Sequence, residues 1–271
     1  MRVLQSSSLD ARARLTLGQH LKELRNRLLY SAIAILAGSI GGWFVAIIVW
    51  SALREPVLEL ARAGHRAASI NYSTITSAFD IRIQIALSVG IVATSPIWLF
   101  QIFAFLVPAL TRRERRFTFI FFFTSVPLFL LGCFAGWYVV PHIVGVLASF
   151  VPQGDASFIE ASNYLGFVLK LILAVGIAFV LPVFLVLLNF IGMISAHAIL
   201  HGWRIAILAI FIFCAIATPS ADVGSMFLLA APMILLYIAA AGVSSWHDRL
   251  TVRRAARMLE FLEAPSNMEA R

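Results

Sequence analysis

Two acidic side chains stand among arginines. Glu23 lies in LTLGQHLKELRNRLLYS beside Lys22, Arg25 and Arg27, and Glu114 is the only acid of the TRRERR stretch. A carboxylate is the natural partner of a guanidinium, because its two oxygens match two parallel N–H donors. Two such groups can hold two arginines of an incoming ligand. A purely local role is also open. Glu23 can pair with Arg27 at i,i+4 spacing, worth about 0.2–0.5 kcal/mol, and Glu114 can pair with its flanking arginines. On charge placement alone the two roles weigh about the same.

Other chemistry-bearing residues are sparse. His197 and His201 have a spacing that suits a metal, but without a third ligand nearby they read as solvated loop histidines. Asp222 follows Pro219 and reads as a helix cap. Cys133 and Cys214 are the only cysteines and each sits inside an apolar run, which argues against a disulfide framework or a thiolate metal site. No Ser–His–Asp, Walker or zincin pattern is present. The expectation is a chain with no catalysis, metal or cofactor.

The elements that must position the glutamates follow from composition. Of 271 residues, 61% are hydrophobic and 13% charged, with a mean hydropathy of +0.93. A soluble domain carries about a quarter charged residues, so soluble, disordered and disulfide-rich classes are excluded. A bilayer crossing needs about 20 apolar residues. Six stretches qualify: Leu28–Trp50, Ile83–Leu110, Phe117–Val140, Tyr164–Ile194, the unusually short Ile205–Ala217, and Val223–Val243. The fold expected is an all-α integral membrane protein with a cytoplasmic amphipathic segment (1–27), a six-helix domain (28–246) and a cytoplasmic tail (247–271). The first apolar run starts too late and runs too long for a cleavable signal, so it reads as a retained anchor.

Distributed over these spans, 16 of the 21 basic residues and seven acids fall on one side for a net of +9, leaving −1 opposite. The positive side is cytoplasmic, which puts both termini inside. The overall +8 is therefore topology, and no nucleic-acid partner is expected. Leu17, Leu21, Leu24 and Leu28 recur at helical spacing, as in a helix lying at the interface before it enters the first span. In the two longer outer loops, Pro56 suits a helix start and Gly64 a stop. HIVGVLASFV after Pro141 is a second short apolar piece, and both pieces read as caps. Within the spans, Lys170 can snorkel outward, while Gln101 and Asn189 call for hydrogen bonds to neighbouring helices. Pro96, Pro127, Pro182 and Pro232 remove backbone bonds and bend helices, favouring a concave wall over a compact bundle.

HLKELRNRLL (20–29), the P-x-x-x-L of Pro56 to Leu60, SPIWLFQIFAFLVPALTRRERR (95–116), YLGFVLKLILAVGIAFVLPV (164–183) and TPSAD (218–222) resemble TatC. TatC is the six-helix subunit of the twin-arginine protein translocase. The resemblance implies a bacterial inner-membrane, multi-pass receptor for twin-arginine signal peptides of folded precursors, driven by the proton motive force. It implies TatA- and TatB-type single-span partners, contact with membrane lipid and self-association in a complex. It carries signal-peptide binding onto Glu23, Glu114, Arg25 and Phe105, and structural or partner contacts onto Pro56, Gln101, Pro182, Asp222 and Met226. Two positions depart from the family. A fourth-helix glutamate is replaced by Val180, and a sixth-helix glutamine by Met226, which points to apolar rather than polar partner packing there. The competing reading, a secondary transporter for a small anionic solute, calls for internal repeats and several ionisable groups near the bilayer midplane. The sequence offers only Lys170.

Overall fold

The structure, a computed structural model, describes residues 17–62, 68–106, 112–149, 157–217 and 223–263. Among these the elements are α1 (Leu17–Arg62), β1 (Ala68–Asn71), α2 (Ser77–Ala93), α3 (Ser95–Leu106), α4 (Arg112–Ser149), β2 (Ser157–Glu160), α5 (Ala161–Phe190), α6 (Ala196–His201), α7 (Trp203–Ala217) and α8 (Val223–Glu263). The chain is almost all helical. Four helices, α1, α4, α5 and α8, are long and apolar enough to cross a bilayer. The pair α2–α3 passes the same test together, bent by 57° at its break. The fifth expected crossing falls on α7, whose 15 residues make about 22 Å, less than a full hydrocarbon core. Ile40, Phe44, Phe123 and Phe134 are each more than half exposed, the surface a lipid-facing helix presents.

The break between α2 and α3 has a local cause. Pro96 has no N–H, so the ladder is interrupted there. The Thr94 hydroxyl and its own N–H both donate to the Gly90 carbonyl, at 2.7 and 3.0 Å. Across the bend, the Trp98 indole N–H donates to the Ile91 carbonyl at 2.9 Å.

Three expectations are corrected. Pro56 starts no separate helix, because α1 runs through it to Arg62. Pro141 likewise lies inside α4. In both cases buried residues flank the proline: Leu53 and Val57 in α1, Val140 and Ile143 in α4. Packing of the adjoining turns outweighs the one missing hydrogen bond. The two loops expected to be outside instead contribute strands, β1 and β2, which pair in parallel with Ile70 opposite Ile159. Each strand has four residues, the least that can show alternation, and only β1 (ASIN) alternates. Gly64, read as a helix stop, lies outside the described residues.

α4 and α5 pack backbone to backbone. A Cβ at Gly176 would lie 2.6 Å from Cys133 Sγ and 3.0 Å from Phe129 Cε2. Gly176→Val is therefore expected to destabilise the protein by about 1–3 kcal/mol through overpacking. Gly145→Ala, where a Cβ meets nothing within 4 Å, is expected to be neutral. Thermal unfolding in detergent compares the two.

Candidate functional site

Glu23 and Arg27 share one face of α1, one turn apart. Arg27 Nε and Nη2 both donate to Glu23 Oε1, at 3.0 and 2.7 Å. The remaining guanidinium nitrogen, Nη1, donates to Gln101 Oε1 on α3 at 3.3 Å. Arg27 thus ties Glu23 to a second helix. The local pair expected from spacing is present, and so is the cross-helix hydrogen bond expected of Gln101. Only one carboxylate oxygen is engaged; among the described residues no donor reaches Glu23 Oε2. Both side chains of the pair are about one quarter exposed, at 24 and 26%. They border an open cavity of about 470 Å³, lined by Lys22, Glu23, Asn26, Arg27, Tyr30 and Gln101.

A pair this accessible adds little stability. It does fix the carboxylate's orientation while leaving an acceptor toward water. An arginine entering the cavity meets a preset anion with Asn26, Tyr30 and Gln101 beside it, and the cations Lys22 and Arg27 on the same lining.

The other sequence-derived residues scatter around this centre. Arg25 is exposed on α1, and Phe105 is half-buried on α3, four residues beyond Gln101. Glu114 falls in the first turn of α4, five linking residues after α3, but its side chain lies outside the described part. Asp222 also lies outside the described residues. Pro56 sits 33 residues along α1 from Glu23, about 50 Å at helical rise, and so belongs to the opposite end. Pro182 is half-buried in α5, and Met226 is half-buried on α8 against the main core. Val180 is buried at 2% exposure. Lys170 is exposed. His197 and His201 lie on α6 rather than in a loop, as exposed rings stacked at 5.9 Å.

One polar centre was not legible in sequence. Asp248 on α8 accepts from Asn189 Nδ2 through Oδ1 at 3.0 Å and from the Ala196 N–H through Oδ2 at 2.8 Å. Asn189 also donates to the Ile194 carbonyl at 3.0 Å. His247, next in line, stacks on Phe190 at 3.8 Å between centroids. Asp248 so joins the end of α5 and the start of α6 to α8. Its signal in sequence was a lone acid one turn past an apolar run, which reads as tail. Asp248→Ala leaves the Ala196 N–H and the Asn189 amide without this acceptor and is expected to cost about 1–3 kcal/mol. Faster hydrogen exchange at the Ala196 amide, with α1 unaffected, is the readout.

The family described as Sec-independent protein translocase protein (TatC) matches residues 19–232. Among relatives, the Sec-independent protein translocase protein TatC of Xylanimonas cellulosilytica is 42% identical over 245 residues, covering 90% of this chain and 89% of that protein. TatC of Rothia mucilaginosa is 31% identical, covering 95% and 88%. The fold is similar to the crystal structure of the twin-arginine translocase receptor TatC in DDM, with a TM-score of 0.71 and 32% identity over 83% of this chain and 99% of that one. With the match spanning most of its length, the chain belongs to the TatC family of Sec-independent protein translocase proteins.

Proposed function

We propose that this chain is the signal-peptide receptor and core subunit of a twin-arginine translocase that exports folded proteins. The observation that carries the reading is the Glu23 site: a carboxylate oriented by Arg27 and Gln101, with one oxygen open to a cavity that accommodates an arginine side chain. Glu114, near the start of α4, supplies the second carboxylate, Arg25 and Phe105 border the bound peptide, and the chain binds its cargo rather than converting it.

The protein is a polytopic bacterial membrane protein of a translocase. We place it with six crossings, α7 being the short one, both termini cytoplasmic, and the apolar part of the signal peptide against a concave helix wall. Residues 1–27 form the cytoplasmic approach, 28–246 the membrane domain and 247–271 the tail. TatA- and TatB-type single-span subunits complete the complex, with copies of this chain associating in it. Pro56, Pro182, Asp222 and the apolar surface at Met226 serve structural or partner contacts. Nothing in the structure favours the small-anion transporter.

A photo-crosslinker at Asn26, which lines the cavity without belonging to the ion pair, tests the assignment. A twin-arginine signal peptide is expected to crosslink several-fold more than its lysine-pair version, since lysine lacks the planar fork. Equal crosslinking by the two peptides rejects arginine recognition at this site.

A further inference from the structure

We propose that the groove between α1 and α2 binds a membrane phospholipid, with its phosphate on Arg82 and one acyl chain along the groove. Arg82 is the sixth residue of α2, about 7.5 Å past its start at helical rise, and the sequence that follows is uncharged as far as Leu106. A guanidinium at the edge of an apolar span is costly unless it is partnered or reaches the interface. Its partners within the described residues are limited. Nε and Nη2 reach the Trp43 carbonyl at 3.4 Å, a long contact. The guanidinium carbon lies 4.3 Å from the Trp43 ring centroid, and Trp43 is itself braced edge-on by Phe79 at 5.8 Å. Among the described residues no acceptor reaches Nη1, and Asp80 makes no ion pair with Arg82.

Beside this cation opens an apolar groove of about 340 Å³, walled by Leu36, Ile40 and Phe44 of α1 and by Ile83 and Leu87 of α2. Its floor is the contact of the two helix backbones. A Cβ at Gly42 would lie 2.5 Å from the Ala86 carbonyl oxygen, so the helices touch there and the flanking side chains stand up on either side. The Ser39 hydroxyl, also in the lining, is turned back to the Ile35 carbonyl at 2.7 Å. On α1 the groove extends from Trp43 to Leu36, about 10 Å, away from the end that carries Arg82.

A charged head over a narrow apolar channel is the shape of a phospholipid. A transmembrane helix fits less well. Its backbone acceptors are already used internally, so its backbone would bring Nη1 no acceptor. The phosphate brings both countercharge and oxygens. The leaflet concerned is the one on the β1–β2 side, which is the outer one under the proposed topology.

Native mass spectrometry of the purified full-length protein, without any signal peptide, reads this directly and independently of the Glu23 site. Phosphatidylglycerol is expected to be retained about five-fold less by Arg82→Gln than by the unchanged protein, the effect of one surface-proximal charge. Ile40→Trp, at a position 67% exposed and so tolerant of substitution, is expected to lower retention by filling the channel even if Arg82→Gln folds poorly. Diacylglycerol with the same chains but no phosphate is expected to bind the unchanged protein no better than phosphatidylglycerol binds Arg82→Gln. Equal retention of the two lipids, no loss with either variant, or a second protein chain crosslinked at Ile40 in place of lipid overturns the proposal.

Discussion

Glutamine at both Glu23 and Glu114 is expected to stop export of a twin-arginine reporter while leaving the protein inserted and folded. Glutamine keeps the size of the side chain and an acceptor oxygen, so Arg27 can still bond to position 23. What is lost is the negative charge. A hydrogen bond to a charged group contributes about 1.5–3 kcal/mol. Each single change is therefore expected to weaken peptide binding by roughly ten- to a hundredfold, and the pair by more. Because Glu23 is about one quarter exposed, the lower end applies to it. Salt screens such a site, so binding of a labelled twin-arginine peptide should weaken as ionic strength rises, and the double variant should have lost that dependence. Peptide binding and export that survive in the double variant would rule out carboxylate pairing at both positions. Arg25→Ala, at an exposed residue outside the ion pair, is expected to have the smaller effect.

The membrane class was legible because apolar composition and charge asymmetry act over the whole chain. Helix continuity was not, and the prolines show why. A proline removes one backbone bond wherever it stands, but whether the helix stops depends on what its neighbours bury. Pro56 and Pro141 are bridged because the turns beside them are anchored in the core. Pro96 coincides with a break: it has no N–H for the ladder, and the Trp98 indole bonds the Ile91 carbonyl across the bend. The Glu23–Arg27 pair was legible because helical spacing fixes it. The contact of Arg27 with Gln101 joins residues 74 apart in sequence, and no local pattern names the partner. Asp248 was missed for the same reason: its partners, Asn189 and Ala196, lie 59 and 52 residues away.

Glutamate at Val180, where the family resemblance places an acid, is expected to be among the most damaging single changes in the membrane domain. Val180 is 2% exposed and belongs to the same buried apolar cluster as Phe129, Cys133, Phe179, Leu229 and Met233. On α5 itself the only basic side chain is Lys170, ten residues or about 15 Å away. A buried, unpaired ion is so unfavourable that the group takes up a proton instead. A neutral carboxyl without a partner still costs about 1–3 kcal/mol, and the added volume costs about 1–3 kcal/mol more. Val180→Glu and Val180→Gln are then expected to lower the unfolding midpoint by similar amounts, whereas Val180→Leu, which adds volume but no polar group, should do less. A glutamate variant as stable as the parent would mean that the site opens to water or to a partner in the membrane. The balance also bears on assembly. Val180 lies inside the core, so a single-span partner reaching this part of α5 would touch neighbouring side chains and not this one. On that reasoning, crosslinking of such a partner near Val180 should tolerate Val180→Leu and fall with Val180→Glu in step with the loss of folded protein, not ahead of it.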